Sequence, residues 1–494
     1  MPVNLWRAAP IPKPKANSLD VLVVGAGLSG VSAAFRLKNS CPDQTFLVVE
    51  ARERSGGTWD LFRYPGIRSD SDMYTFGFPF EPWGGTDSVA HGETIRNYVH
   101  HTIEKHDLNR FIRYQHRLLD AAWDSRQKLW TVTIENNDIR EEWTCRFLWL
   151  CTGYYDYQQG HQPDIPGLHN FRGPVIHPQH WTETLDYDDK EVVVIGSGAT
   201  AVTLVPALAE RARLVTMLQR SPTYVSEVPS QDPWAVRLKK YLPFPIAAWL
   251  LRWKGVFYQT MVFRLARRFP EFLRRLLTKP WEQQFGKEFA EKHFHPRYNP
   301  WEQRLCVDSD GELAQALKEG RARIVTDQIK TCHETGIETQ SDQHISADII
   351  ITATGLKLQL FGAAQITVDG EPIKASEHMV YKGTMLDGVP NCAISLGYTN
   401  MSWTLKCDLI SRYLCRLLNF MEENNFTVCS PVLNDSEIQK EELIDFNSGY
   451  FQRSAHILPK QGNKSPWKLH QSYLHDILQT NFARLDDGTL KFSR

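Results

Sequence analysis

Two stretches of this 494-residue chain restrict its fold more than any others, because each is an apolar run that breaks into a fixed glycine pattern and resumes as a helix. Val21-Leu-Val-Val leads into Gly25, Gly27 and Gly30, then Val31-Ser-Ala-Ala-Phe-Arg-Leu; Val192-Val-Val-Ile leads into Gly196, Gly198 and Ala201 before a second apolar helix. In such a unit the first small residue permits a tight turn, the second lets backbone approach a pyrophosphate, and the third allows helix and strand to pack closely. A glycine-rich loop in a βαβ unit can also bind nothing, so the following strands decide. The fold class is therefore read as α/β, with two Rossmann-like dinucleotide-binding domains.

The ends of those following strands differ. Phe46-Leu-Val-Val ends in Glu50, 20 residues after Gly30, where a carboxylate can accept ribose hydroxyls. The same carboxylate would repel a 2′-phosphate, which suits FAD. Leu214-Val-Thr-Met-Leu ends in Gln219-Arg220-Ser221. A guanidinium and a hydroxyl there fit a 2′-phosphate through charge-assisted hydrogen bonds, which suits NADPH.

Residues 56–70, Gly-Gly-Thr-Trp-Asp-Leu-Phe-Arg-Tyr-Pro-Gly-Ile-Arg-Ser-Asp, follow the first unit. Paired glycines, a Tyr-Pro-Gly turn, several arginines and a closing carboxylate constrain this loop too strongly for an idle connection. It reads as the wall of a flavin site, with Gly57, Thr58, Trp59 and Asp70 beside the cofactor.

Bulk properties narrow the function classes. A formal net charge of -1 and a pI near 7.0 give no global attraction to nucleic acid. The nine cysteines never form Cys-x-x-Cys, so neither a zinc ribbon nor a dithiol pair is expected, and no metal is assigned. Reduced thiols point to a cytoplasmic protein. The N-terminal stretch lacks an apolar signal core, and no apolar run reaches the ~20 residues of a spanning helix. Residues 233–279, however, hold 11 Lys and Arg against Glu271 alone, interleaved with aromatics. That segment is read either as a helical insertion whose aromatic face covers the substrate cleft or as a peripheral membrane contact.

These readings divide the chain into an N-terminal arm (1–18), a first part of the FAD-binding domain (19–155) and a linker (156–190). An NADP-binding domain follows (191–350, with the helical insertion at about 225–300), then a second part of the FAD-binding domain (351–494). Ala121 to Trp123, Trp130 to Glu135 and Glu142 to Cys145 read as an antiparallel meander, separate from the strand Phe147-Leu-Trp-Leu.

Between the two units, Phe171-Arg-Gly-Pro-Val-Ile-His-Pro-Gln-His-Trp181 resembles the fingerprint F-x-G-x-x-x-H-x-x-x-W of type I (class B flavoprotein) Baeyer–Villiger monooxygenases. Phe171, Gly173, His177 and Trp181 match it, while Thr182 departs from the closing Pro or Asp. A second family pattern, [AG]-G-x-W-x-x-x-x-[FY]-P-[GM]-x-x-x-D, is met by Gly56, Gly57, Trp59, Tyr64, Pro65, Gly66 and Asp70. Within the family the chain is similar to the EthA-like group.

The resemblance implies an NADPH- and O2-dependent enzyme that converts apolar or aryl ketones to esters through a flavin C4a-peroxide and also oxidises thioethers. It makes Arg304, in Pro-Trp-Glu-Gln-Arg-Leu-Cys, the active-site arginine and Asp70 its acidic partner. Gln303 stands where the family often has lysine, which leaves Arg220 with more of the phosphate contact; His177 takes a structural role. Two rivals remain: a flavin S/N-monooxygenase using the hydroperoxide, and a catalytically silent nucleotide-binding protein at a membrane surface.

Overall fold

The computed structural model describes residues 17–303, 305–443 and 449–494, so most of the proposed arm and the candidate Arg304 lie outside the described residues. The first glycine unit is built as its pattern requires. Strand β1 (Ser18–Val24) feeds helix α1 (Leu28–Ser40), and β2 (Phe46–Glu50) returns parallel to β1. α1 is small on its inner face, with Ser29, Gly30, Ser32, Ala33 and Ala34 all buried, so it can lie close to the sheet.

Short helices α2 (Thr58–Leu61) and α3 (Met73–Phe76) and the longer α4 (Gly92–Lys105) precede β3 (Ile112–Tyr114), which adds to β2. Then β4 (His116–Asp124), β5 (Leu129–Asn136) and β6 (Ile139–Leu150) form an antiparallel meander. Here the structure corrects the sequence reading, because the last meander strand and the apolar strand after it are one element. β6 pairs with β5 up to Cys145 and with β1 through Leu150. The polar Arg146 at the junction pairs with Asp20 at 3.3 Å.

The second unit has its own parallel sheet. β7 (Val175–Ile176) comes from the stretch read as linker and forms one edge. β8 (Glu191–Ile195), α5 (Ala199–Ala209) and β9 (Leu214–Gln219) repeat the first unit's geometry. After β10 (Val225–Val228) come α6 (Pro233–Tyr241), α7 (Phe244–Arg268), α8 (Pro270–Phe285) and α9 (Lys287–Phe294). β11 (Cys306–Ser309) then pairs parallel with β10, so the helical insertion is closed at its base by a two-stranded sheet. α10 (Glu312–Lys318), β12 (Ala322–Thr326) and β13 (Ile349–Thr352) complete the order β12-β9-β8-β13-β7.

The chain then returns to the first sheet. β14 (Gln365–Val368) adds to β4, and β15 (Cys392–Ile394) takes the edge of β6 that β5 leaves at Cys145. α11 (Trp403–Glu423) packs on α1, joined by the ion pair of Arg36 with the buried Asp408 at 2.7 Å. Two short helices follow, α12 (Gly449–Ser454) and α13 (Tyr473–Ile477). Trp467, whose place the sequence leaves open, is buried with its ring 5.7 Å from Tyr381. All nine cysteines are buried, and none is in a disulfide.

Candidate active site

At the first turn the glycines act where no side chain fits. Gly25 has φ +103°, and a Cβ there would meet the Cys151 carbonyl oxygen at 2.6 Å; one on Gly30 would lie 1.8 Å from the Gly25 oxygen. Gly27 begins α1 with no side-chain cap, so the first N–H groups of the helix are free for an anion. Facing it is Gly57, with Gly27 Cα only 3.2 Å from where a Gly57 Cβ would sit. Two bare backbones therefore form a narrow slot at a helix N-terminus.

Glu50 closes this slot. The amides of Ala26 and Arg52 donate to its carboxylate at 2.7 and 3.0 Å. Burial raises its pKa, and those two bonds with the Arg52 charge counter the rise. A carboxylate held this way has lone pairs left for ribose hydroxyls.

Residues 56–70 run from the first unit to the second. Near Gly57, the Thr58 hydroxyl faces Tyr157 Oη at 3.4 Å and Trp59 packs edge-on to Phe76 at 5.6 Å. Asp60 is fully buried and pairs with Arg52 at 2.7 Å and Arg63 at 2.5 Å, which fixes the loop's shape. Further on, Phe62 and Tyr64 pack into the core of the second unit. Gly66, at φ +77°, lies so close to α5 that a Cβ would meet the Thr203 carbonyl oxygen at 2.6 Å.

Arg68 follows, 2 % exposed, and donates to Glu312 at 2.5 Å. Its Nε and Nη2 find no hydrogen-bond partner among the described residues. The sequence reading used Arg68 only as part of a motif and missed this buried, half-satisfied guanidinium. Its charge also acts on Asp308, which caps α10 and is pushed up to about 6, chiefly by burial. Asp70, half-buried at the loop's end, shares the surroundings of Tyr64 with Arg68.

The second turn repeats the first with one difference. Gly196 has φ +142°, and a Cβ there would lie 2.4 Å from the Ala353 oxygen. Gly198 faces open space at the uncapped start of α5. The third position accepts a methyl group, since Ala201 is fully buried without conflict. At the end of β9, Gln219 turns inward to donate to the His293 carbonyl at 2.9 Å, whereas Arg220 and Ser221 are exposed.

A residue that sequence spacing could not find stands opposite. Arg453, at the end of α12, has its pKa lowered by burial and then by the charge of Arg220. Neither guanidinium has a carboxylate partner among the described residues. Two uncompensated cations that repel one another make an anion site.

The fingerprint residues sit behind this cleft. Phe171 is buried, and Gly173 is forced by the Asp348 carbonyl oxygen, 2.1 Å from a would-be Cβ. His177 receives the Gln179 amide on Nδ1 at 3.2 Å, which leaves Nε2–H to donate to the Gly355 carbonyl at 3.1 Å. Burial lowers its pKa and keeps it neutral. Trp181 packs 6.2 Å from Tyr187 on the second unit. The two strand-end segments after β6 and β13 lie side by side, with the Asp156 amide donating to the Lys357 oxygen at 2.9 Å and His161 to the Gly355 oxygen at 3.0 Å. His177 thus clamps the paired crossings.

Beside the first cradle lies an apolar cavity lined by Tyr154, Leu396, Tyr398, Phe451, Leu458 and Leu469. Tyr154 also touches Trp403, whose indole donates to Ser29 in the first turn of α1 at 3.0 Å. One wall carries a buried polar cluster, in which Lys406 and Tyr398 both donate to Asp476, at 2.6 and 2.5 Å.

The family model described as "Flavin-binding monooxygenase-like" matches residues 72–368, and an "NAD(P)-binding Rossmann-like domain" model matches 23–84. The chain is 48% identical over 478 residues to "FAD-containing monooxygenase EthA" of Mycobacterium tuberculosis, covering 96% of this chain and 98% of that one. It is 45% identical over 479 residues to "Probable FAD-binding monooxygenase AlmA" of Acinetobacter baylyi, covering 96% of each. Among solved structures, OTEMO in complex with FAD and NADP matches with a TM-score of 0.73 at 22% identity, over 96% of this chain and 99% of that one. Oxidized steroid monooxygenase bound to NADP matches with a TM-score of 0.71 at 22% identity, over 84% and 88%. At such identities the solved structures speak for the fold alone.

Proposed function

The chain belongs to the flavin-binding monooxygenase-like family, and from that premise we propose that it is an FAD-dependent NADPH monooxygenase of Baeyer–Villiger type that oxidises apolar or aryl ketones to esters. The observation that carries this reading is the course of residues 56–70. They pass from the first slot at Gly57 to α5 of the second unit at Gly66, so one loop links both sites and ends in Arg68, paired with Glu312, and Asp70.

FAD fits the first slot: its pyrophosphate would take the free amides at Gly27 and its ribose the carboxylate of Glu50, with Thr58, Trp59 and Asp70 towards the flavin. NADPH fits the second, with the pyrophosphate at Gly198 and the 2′-phosphate between Arg220, Ser221 and Arg453. Bound flavin accepts hydride from NADPH and activates O2. The protein's task is to supply charge and exclude water. Arg304 is assigned the permanent positive charge that an anionic oxygen donor requires, since a guanidinium does not deprotonate. Asp70 is the acid assigned to pair with it, and Arg68, buried on the same loop, adds a positive charge of its own.

The apolar cavity beside Tyr154 favours an apolar ketone, aryl or long-chain, and thioethers as a secondary class. Product analysis tests the reading. Purified enzyme supplied with NADPH, O2, an aryl methyl ketone, a long 2-alkanone and an aryl thioether yields ester from a ketone. Sulfoxide with no ester overturns the Baeyer–Villiger assignment in favour of hydroperoxide chemistry.

A further inference from the structure

The helical insertion does not cover the cleft with its aromatic face. Its inner face is small and aliphatic: Ala247, Ala248, Leu251, Gly255 and Val256 are buried, and Gly255 fits against α3, where a Cβ would meet Asp72 at 2.4 Å. Most of the aromatics point outward, while Trp253 and Phe263 are half-buried. Sixteen large apolar side chains are exposed among the described residues; 12 lie between Trp234 and Leu276 and three between Leu474 and Phe482. One helical stripe of α7 runs Ile246, Trp249, Trp253, Phe257, Met261 and on to Arg264 and Arg268, at intervals of three and four residues. Phe257 is 70% exposed and Trp249 60%. The rings of Trp249, Trp253 and Tyr473 follow at 6.4 and 6.0 Å, which joins this stripe to the exposed Leu474 and Leu478.

An apolar surface of this extent on a water-soluble domain marks an interaction site. Its charge says what covers it. Residues 233–279 carry 11 cations and one acid. Arg237, Lys240, Arg264, Arg268, Arg275 and Lys279 have no carboxylate partner among the described residues. In an isologous dimer this face would meet a copy of itself and set cations against cations. An anionic lipid surface instead supplies negative charge for the arginines and an acyl boundary for the rings. No helix among the described residues is long and apolar enough to cross a membrane, so α7 would lie in the interface plane.

We propose that the outward face of the helical insertion, continued by residues 474–482, docks the protein on anionic lipid bilayers. Val256 of α7 belongs to the same buried cluster as Tyr398, which lines the apolar cavity, so the docking helix and the cavity are joined through one packed cluster.

The test is co-sedimentation of the purified FAD-loaded protein with vesicles of phosphatidylcholine alone or mixed with phosphatidylglycerol. Binding to the anionic vesicles that weakens as salt rises is the expected result. Trp249→Ser with Phe257→Ser should weaken it at least about tenfold, and Arg264→Gln with Arg268→Gln by roughly thirtyfold, at about 1 kcal/mol for each cation. Both double variants should keep full flavin content and unchanged NADPH oxidation with a water-soluble substrate. Binding to neither vesicle overturns the proposal, as does a concentration-dependent dimer that Trp249→Ser with Phe257→Ser dissociates.

Discussion

The pairing of Arg220 with Arg453 gives the sharpest prediction, because only one of the two nicotinamide nucleotides carries the group they would bind. Both guanidiniums are free of carboxylate partners among the described residues, and their charges oppose one another, so a phosphate between them relieves a repulsion as well as forming charge-assisted bonds. A charge-assisted hydrogen bond contributes about 1.5 to 3 kcal/mol. Arg220 is exposed, which places it at the lower end, so its removal should weaken NADPH binding about tenfold at ~1.4 kcal/mol per decade. Arg453→Ala should cost a similar factor. The double variant should lose less than the product of the two, because either arginine alone no longer faces a like charge. The assay is steady-state NADPH and NADH oxidation, read as the ratio of the two kcat/KM values. Each single variant should shift that ratio about tenfold toward NADH while leaving the NADH value itself unchanged. Equal losses with both nucleotides, or no effect of Arg453→Ala, would refute the placement of the phosphate.

Other consequences are as direct. Arg304→Lys should retain FAD and reduction by NADPH but form little ester, seen as NADPH consumption that yields hydrogen peroxide in place of product. Gly66→Ala forces a left-handed alanine against the Thr203 carbonyl and should destabilise the fold by at least ~2 kcal/mol in denaturant melts, whereas an alanine at the open Gly198 meets no clash. His293 has its pKa lowered to about 4 by burial and by Lys292. With an unfolded value near 6.5, the unfolded chain binds the extra proton between these limits, so this residue's stability contribution is full above about pH 6.5 and is lost toward pH 4, by at most about 3 kcal/mol. Asp72 and Asp308, pushed up to about 6, titrate with the opposite sign, so the effect is read as the wild-type loss from pH 7 to pH 5 that His293→Gln reduces.

Much of this architecture is legible in the sequence where backbone geometry allows one residue type only. Gly25, Gly57, Gly66 and Gly196 all have positive φ with a carbonyl, side chain or second backbone where a Cβ would go, and all belong to patterns readable without a structure. What spacing does not reveal is juxtaposition. Arg453 lies more than two hundred residues after Arg220 and arrives on a short C-terminal helix, so no local signal marks it. In sequence β6 reads as a meander segment and a separate apolar run on either side of Arg146, whereas in the fold Arg146 pairs with Asp20 and one strand passes from the meander to the parallel core. The direction of the α7 face was undecided for a related reason. Periodicity gives an aromatic stripe and a small-residue stripe but not which one meets α3, and Gly255 against Asp72 settles it.

The two nucleotide units differ in a way that follows their separate tasks. In both, the first glycine packs under the carbonyl that ends a crossing strand, Cys151 for Gly25 and Ala353 for Gly196, so each turn is built against the segment that links the units. Those segments pass through Gly153 and Gly355, both at positive φ, and His177 ties to the second of them. At the third position the equivalence ends. Gly30 admits no side chain, because its Cβ would fall 1.8 Å from the Gly25 oxygen, while Ala201 is buried at its counterpart without strain. The second unit therefore accommodates a methyl group where the first does not. With FAD in the first slot, as proposed, Gly30→Ala should show loss of flavin as its first effect, read as flavin absorbance per mole of purified protein.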